Sequence, residues 1–542
     1  MYSRYLSKFP DGFTPSTQQI ELIKRIEDAF TKGYKYVICN APTGSGKSFV
    51  SKTLGNVSNK CTSEFKELIT SYDAFKQDYI GNYTNEVDCL KEPPFGTFAL
   101  TITKSLQDQY LGLFSQSSVL KGKNNYQCQV NLDVDVENAP CLLLPKIKED
   151  CWSKNLCPYY NARNNALIDQ FSILNYKMFL TLPGHVKRKN FIVCDEASEL
   201  EDELVKHFSA FIDIEKLKML GVKIPLLYSS NLEDVYKWLN VIMVVIGEHI
   251  DALTQKHNNK NTALNINDKI KLNAFKNLHR TLNLIEETWS KCEYICHREN
   301  KTVKIMPLRV DVLTKYIFNY ADNVLLMSAT IVDHKHFAKT LGIDQYKYIE
   351  VDSSFDSQKA PIYISTNNKL NRNNMQKVLP AIAAQIKTIC ESHKNEKGII
   401  HTHTLQITDY LKKHLKGSRF LYRDSESKNE NILAKHMKSE LPTCLVSPSM
   451  AFGIDLRDDL ARFQIIVKGA FLPLSDKRIK RLFDEDKIWY TNKMLINLIQ
   501  ACGRGIRSKE DHCITYILDG NVYDVVIDNK NKLPKYFIDR FV

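Results

Sequence analysis

The chain has 542 residues, 43% of them hydrophobic and 25% charged, which is too long for one hydrophobic core and ordinary for a globular protein of two to four domains. Lysine and arginine exceed the acids by 74 to 62, a net charge of +12, which suits a polyanionic partner without demanding one. There is no low-complexity tract, no repeat at solenoid period, and no basic stretch leading into an apolar one at the start, so neither a solenoid nor a secretory signal is expected.

In chain order, the first chemically specific stretch is "KYVICNAPTGSGKSFVSKTL". A predicted strand, Tyr36 to Cys39, leads into Ala41-Pro42-Thr43-Gly44-Ser45-Gly46-Lys47-Ser48, and a helical pattern follows. This is the strand–GxxxxGK[ST]–helix order of a P-loop, with Ala41 in place of the first glycine. Gly44 and Gly46 would let backbone N–H groups face phosphate oxygens, and the helix N-terminus adds favourable partial charge. Lys47 would reach the β- and γ-phosphates, while the Ser48 hydroxyl would ligate magnesium. "SEFKELITSYDAFKQDY" then reads as a surface helix with no assigned role.

Four of the fourteen cysteines, Cys128, Cys141, Cys151 and Cys157, lie at spacings of 13, 10 and 6 residues. Without a secretion signal they argue for ligation rather than disulfides. Four thiolates hold either a [4Fe–4S] cluster or a tetrahedral zinc, and the absence of a CxxC pair leans towards the cluster. Tyr159, Tyr160 and Arg163 follow, offering rings for stacking and a cation for phosphate, and are expected to touch DNA; packing against the metal group is the alternative.

A second predicted strand, Phe191 to Cys194, delivers Asp195 and Glu196 at its C-terminal end, where ligands bind in an open α/β sheet. Asp195 is placed to hold the magnesium shell and Glu196 to act as general base. Taken alone the pair is also an acidic helix start; the P-loop upstream favours catalysis. Further on, "NLEDVYKWLNVIMVVIGEHI" and "LNAFKNLHRTLNLIEETWSKC" show helical apolar recurrence, and the first is too interrupted by charge for a bilayer span. Near the end, Arg504 and Arg507 in "LINLIQACGRGIRSKED" sit three apart, on one face if helical, and suit an arginine-finger role.

Taken together these motifs resemble those of superfamily 2 helicases. Asp195-Glu196-Ala197-Ser198 is similar to the DEAH box, with Ser198 in place of histidine, and Gln500 to Arg507 is similar to QxxGRxxR. "LLMSATI" resembles motif III, "LVSPSMAFGIDL" motif V with Gly453 and Asp455 matching, "ALTITKSLQDQY" motif Ia and "KGIIHTHTLQITDYL" motif IV. "FTPSTQQIELI" resembles the glutamine motif that reads adenine, with Gln19 the better match. The segments around the cysteines, "LKGKNNYQC", "CPYYNAR" and "FSILNYKMFL", narrow the resemblance to the DinG/XPD group of iron–sulfur helicases.

That resemblance implies an α/β protein with two RecA-like P-loop lobes. The first lobe would comprise residues 1–115, 168–207 and 303–350. A cluster domain (116–167) and a helical arch-like insertion (208–302) would interrupt it, and residues 351–542 would form the second lobe. ATP would lie between the lobes, against Gln19, Ala41 to Ser48, Gly453, Asp455 and Gln500. Thr101, Thr103 and Lys104 on one lobe and Thr402 and Thr404 on the other would grip a DNA strand, with Ser328 and Thr330 linking grip to nucleotide. The expected activity is an ATP-dependent DNA helicase moving 5′→3′, with magnesium and a [4Fe–4S] cluster, on single-stranded and forked DNA. The alternatives are an ATP-driven translocase or RNA–DNA hybrid helicase without general unwinding, and a non-motor P-loop binding protein. A cytoplasmic monomer without membrane contact is expected.

Overall fold

The computed structural model describes residues 3–42, 44–70, 94–142, 145–222, 227, 231–258, 266–353, 355–423, 429–448, 458–503, 505 and 511–542. Among the described residues ten strands lie before residue 351: β1 (Tyr36–Asn40), β2 (Thr97–Thr101), β3 (Ser118–Leu120), β4 (Phe171–Asn175), β5 (Lys189–Asp195), β6 (Ala210–Asp213), β7 (Tyr294–Glu299), β8 (Thr302–Pro307), β9 (Ala321–Ser328) and β10 (Tyr346–Glu350). Six follow: β11 (Ile362–Ile364), β12 (Gly398–His401), β13 (Phe420–Tyr422), β14 (Cys444–Ser447), β15 (Phe463–Ile466) and β16 (Ile514–Ile517).

Strands β10, β1, β9, β5, β2, β4 and β3 pair in that order into one parallel sheet, and β11, β16, β15, β12, β14 and β13 into a second. The central strands are apolar on both faces, as a sheet covered by helices on each side requires; β2 is buried throughout. These are the two RecA-like lobes. In the first sheet β9 separates β1 from β5, in a register that sets Asn40 beside Ser328 and Asp195 beside Met327. The chain segments leaving β1, β9 and β5 therefore emerge side by side at one sheet edge.

The insertion expected to be helical is mixed. Helices Leu232–Asn258 and Ile266–Thr288 pack on an antiparallel sheet ordered β6, β8, β7, sharing a core that includes Ile212, Trp238, Phe275, Ile285 and Ile305. The β7–β8 hairpin turns at Asn300 and Lys301, with Asn300 at φ 54°, a left-handed conformation such short hairpin loops need. Upstream, helix Ser63–Thr70 sets Phe65 edge-on to Phe95, ring centres 5.0 Å apart; the rest of that expected surface helix, residues 71–79, lies outside the described residues.

Two lysines are buried at the start of β5. Lys187 Nζ donates to Leu180 O at 3.2 Å between the Phe179 and Tyr320 rings, and Lys189 Nζ donates to Leu167 O at 2.8 Å over Phe95 and Phe98. Burial pushes each down to about 7. Leu167 lies in the last turn of the helix that follows the last of the four grouped cysteines, so Lys189 pins that helix to the lobe. Among the described residues no helix is long and apolar enough to cross a membrane.

Candidate nucleotide site and cysteine cluster

Gly44 and Gly46 both adopt left-handed backbone, φ 80° and 79°, which side chains rarely tolerate. Gly46 caps helix Lys47–Val57, so the loop after β1 ends at a helix N-terminus as the sequence implied. Two side chains crowd the glycines: a Cβ on Gly46 would collide with Gln19 Nε2, and one on Gly44 with Phe355 Cζ. Gln19 is held in place by a reciprocal cap, its Oε1 accepting from Ser16 N at 2.8 Å and its own N–H donating to Ser16 Oγ. Ser45 Oγ is buried with no partner among the described residues, and Lys47 Nζ lies 3.4 Å from Ala41 O. Ala41 and Pro42 are buried as the chain leaves β1.

Asp195 ends β5 and is 4% exposed. Burial, then the charge of Glu196, pushes its carboxyl up to about 6, with Lys47 opposing. The buried Tyr110 hydroxyl donates to Asp195 Oδ2 at 3.1 Å, pairs with Ser51 Oγ at 3.1 Å, and also bonds Ser48. One phenol thus ties the start of helix Lys47–Val57 to Asp195. Glu196 takes left-handed backbone at φ 49°, a conformation costing a non-glycine residue about 1–3 kcal/mol, and accepts from Ser328 Oγ at 3.4 Å. Ser198 stands 3.0 Å from Ser328 Oγ and accepts from Thr330 Oγ1 at 2.9 Å; Ser328 and Thr330 are 3.1 Å apart. Where the resembled box has histidine, a triangle of three hydroxyls joins the segments leaving β5 and β9.

The lobes meet directly after the box. Gln500 Nε2 donates to Glu199 Oε1 at 2.9 Å. Glu201, buried, accepts from Trp489 Nε1, Arg478 Nη2 and Lys493 Nζ at 2.9 to 3.0 Å. Burial alone would raise its carboxyl, but Lys493, Arg478 and these hydrogen bonds outweigh it and hold it at about 2. Helix Lys487–Cys502 ends before the expected arginine pair. Thr43, Gly453, Asp455, Arg504 and Arg507 all lie outside the described residues.

The residues expected to grip DNA divide into two kinds. Thr103 and Thr404 cap helices Lys104–Leu113 and Leu405–His414, accepting from Leu106 N and Ile407 N at 3.3 Å each, and Lys104 is exposed. Thr101 and Thr402 are buried at 0%; Thr402 Oγ1 pairs with Thr408 Oγ1 at 2.6 Å and Thr101 Oγ1 lies against Leu174 O and Thr103 O. Tyr159 and Arg163 are likewise buried, 5% and 3% exposed. The side chains of Thr101, Thr402, Tyr159 and Arg163 are thus turned away from the surface, unlike those of Thr103, Lys104 and Thr404. Helix Pro158–Ile168 turns Tyr159 into the lobe core, edge-on between Tyr126 and Tyr160. Tyr160 is half-buried, with the Lys123 ammonium 6.0 Å from its ring centre.

The four cysteines converge. Burial pushes Cys141 up to about 12, reinforced by Cys151, Cys157 and Cys128; Cys151 is raised by burial and then by Cys157 and Cys128. Cys157 is raised by burial, against the backbone N–H groups of Tyr160 and Tyr159 at the helix start it caps. Among the described residues no set of three His, Cys, Asp or Glu side chains is closed tightly enough to hold an ion as it stands. Four neighbouring thiols on short helices and turns are nonetheless the donor chemistry of an iron–sulfur or zinc site.

The helicase C-terminal domain family matches residues 388–537. The chain is 20% identical to the ATP-dependent DNA helicase XPD of Sulfolobus acidocaldarius over 92% of this chain and 95% of that one. A solved XPD helicase structure superposes with a TM-score of 0.57 at 17% identity, covering 96% of this chain and 98% of the other. Its fold is that of the XPD helicases. The XPD4 structure of S. tokodaii agrees, with a TM-score of 0.53 at 15% identity over 95% and 97% of the two chains. Over nearly its whole length the chain is thus similar to XPD helicases, the kind that the motifs resemble. The XPD-type fold accounts for both parallel sheets and for the position of the matched C-terminal domain on the second.

Glu199, Glu201 and Phe355 escaped the sequence motifs, and Tyr110, the last residue of the motif Ia stretch, was given no role there. The partners of Tyr110 and Glu201 lie far away in sequence, so no local pattern marks what they do.

Proposed function

We propose that the protein is an ATP-dependent DNA helicase that moves 5′→3′ along a single strand and opens forked duplexes. The observation that carries this is the grouping of Ser48 and Asp195 around the Tyr110 hydroxyl, with the Lys47 charge acting on Asp195, at one edge of a sheet with the XPD-type fold. Backbone N–H groups of the Gly44–Lys47 turn and the unpartnered Ser45 hydroxyl suit a triphosphate. Ser48 and Asp195 would hold a magnesium ion, which when bound shields phosphate charge. Glu196, steadied by Ser328, would orient the attacking water and take its proton. Arg504 and Arg507 would neutralise charge from the second lobe. The polarity, and DNA as the polymer, rest on the motif resemblance and on the XPD relative.

Closing of the lobes would be felt at Gln500–Glu199 and at the Glu201 network, both of which follow the box by a few residues. Thr103, Lys104 and Thr404, at helix starts on the two lobes, remain suited to backbone phosphates. Cys128, Cys141, Cys151 and Cys157 fit a [4Fe–4S] cluster, which when bound would supply folding free energy to residues 116–167. These residues would stand where the duplex parts.

The test is ATP turnover with and without single-stranded DNA, alongside unwinding of forked DNA carrying either polarity of tail. Stimulated turnover with opening of the 5′-tailed fork is expected. Turnover without opening of any duplex would leave a translocase instead.

A further inference from the structure

The P-loop glycines are abutted by an aromatic ring that none of the helicase motifs includes. Phe355 approaches Gly44 end-on: its Cζ occupies the place a Cβ would need, and Cε2 lies 3.1 Å from it. On the other side the ring packs with Ala360 and Cys513, and Cys513 in turn fills the space beside Gly505. Phe355 is therefore in touch with both lobes. It is half-buried, and its backbone N–H is held by Ser353 Oγ at 3.0 Å. Gln19 abuts the next left-handed glycine, Gly46, so ring and amide stand beside the same turn. Phosphates are held on the N–H side of such a turn; Phe355 and Gln19 lie on its Cβ side. Phe13, the nearby alternative, is committed to Phe49, with ring centres 4.9 Å apart.

We propose that Phe355 is an affinity-determining residue of the nucleotide site, its ring forming the apolar wall for the base beside the Gln19 amide. This rests on the P-loop holding a nucleotide, as proposed above. An aromatic face gives a planar base a dispersion and stacking surface that water does not match, while Gln19 supplies polar recognition. The bare Gly44 is then explained by two demands at once: left-handed backbone, and room for the ring.

The experiment measures equilibrium binding of fluorescent ADP to the full chain, with inorganic tripolyphosphate as a competitor that has no base. Phe355→Ala should weaken ADP about tenfold, the size of one lost base–aromatic contact, and leave tripolyphosphate within about twofold. Phe355→Trp should bind ADP like the wild type. Tighter binding of both ligands by Phe355→Ala would show the ring to be an obstruction and overturn the proposal, as would unchanged ADP affinity. Should Phe355→Ala fail to fold, Phe355→Leu keeps the bulk without the aromatic face; weaker ADP binding supports the wall and wild-type affinity overturns it. Because binding is read without turnover, a protein that binds ADP but hydrolyses no ATP would defeat the helicase reading and leave this one standing on the affinities.

Discussion

Around the P-loop, polar side chains are locked by neighbours from a parallel sheet; around the four cysteines, they are set on short helices and turns with little sheet beneath. Asp195, Tyr110, Ser198, Ser328 and Thr330 each have partners placed by β5, β9 or a helix packed on them. Cys128, Cys141, Cys151 and Cys157 instead lie near one another, and burial with mutual proximity raises three of the thiols. The first region carries its geometry in backbone pairing. The second needs something to hold its sulfurs together, because converging thiols gain nothing from one another without a shared metal.

Four measurements would break or sharpen this contrast. The largest effect is expected from Lys47→Ala, which should cut ATP turnover about a hundredfold or more while leaving the thermal transition near that of the wild type. A collapse of stability instead would show that the P-loop lobe is not self-supporting. Cys157→Ser should come next: loss of iron and sulfide from the purified protein, and fork opening reduced about tenfold or more, with DNA-stimulated turnover retained. If the wild type contains stoichiometric zinc and no iron, the cluster assignment fails.

The seam between the regions is read by pH. Lys189 titrates near 7 in the folded chain because burial disfavours its charge, below the value of about 10.4 expected unfolded. Above pH 7 the unfolded chain holds a proton the folded one has shed, so Lys189 makes stability rise with pH, by at most about 1.4 kcal/mol per unit. Lys189→Met should flatten the stability curve between pH 7 and 8.5, measured by denaturant unfolding, and be more stable than the wild type near pH 6.5. An unchanged slope would mean that the ammonium is not buried in solution. The smallest effect belongs to Ser198→Ala, which removes one corner of the hydroxyl triangle and should cost about 1 kcal/mol, with a lower ratio of DNA-stimulated to basal turnover. A stability loss with an unaltered ratio would make the triangle a packing device only.

Much of the fold was legible because its signals are local. The strand before Ala41 and the apolar "FIVC" before Asp195 are short β-branched runs, and the glycines between Ala41 and Lys47 have few other uses. The small sheet of the insertion was missed because β6, β7 and β8 are four to six residues long beside two helices of 27 and 23 residues. The burial of Tyr159 and Arg163 was not foreseen for a related reason. Composition marks them as suited to nucleic acid, whereas their helix turns both side chains inward.

By itself the sequence determined which chemistry is present: a phosphate-cradling turn, an acidic pair at a strand end, four grouped cysteines, and the motif order of the XPD-type fold. Tertiary structure alone decided what surrounds them. Asp195 is pushed up because β5 ends inside the protein, Glu201 is pushed down because the other lobe brings Arg478, Lys493 and Trp489 to it, and Phe355 meets Gly44 across some three hundred residues of chain. Burial and charge proximity depend on distances through space, and those are set by which strands pair rather than by which residues follow one another.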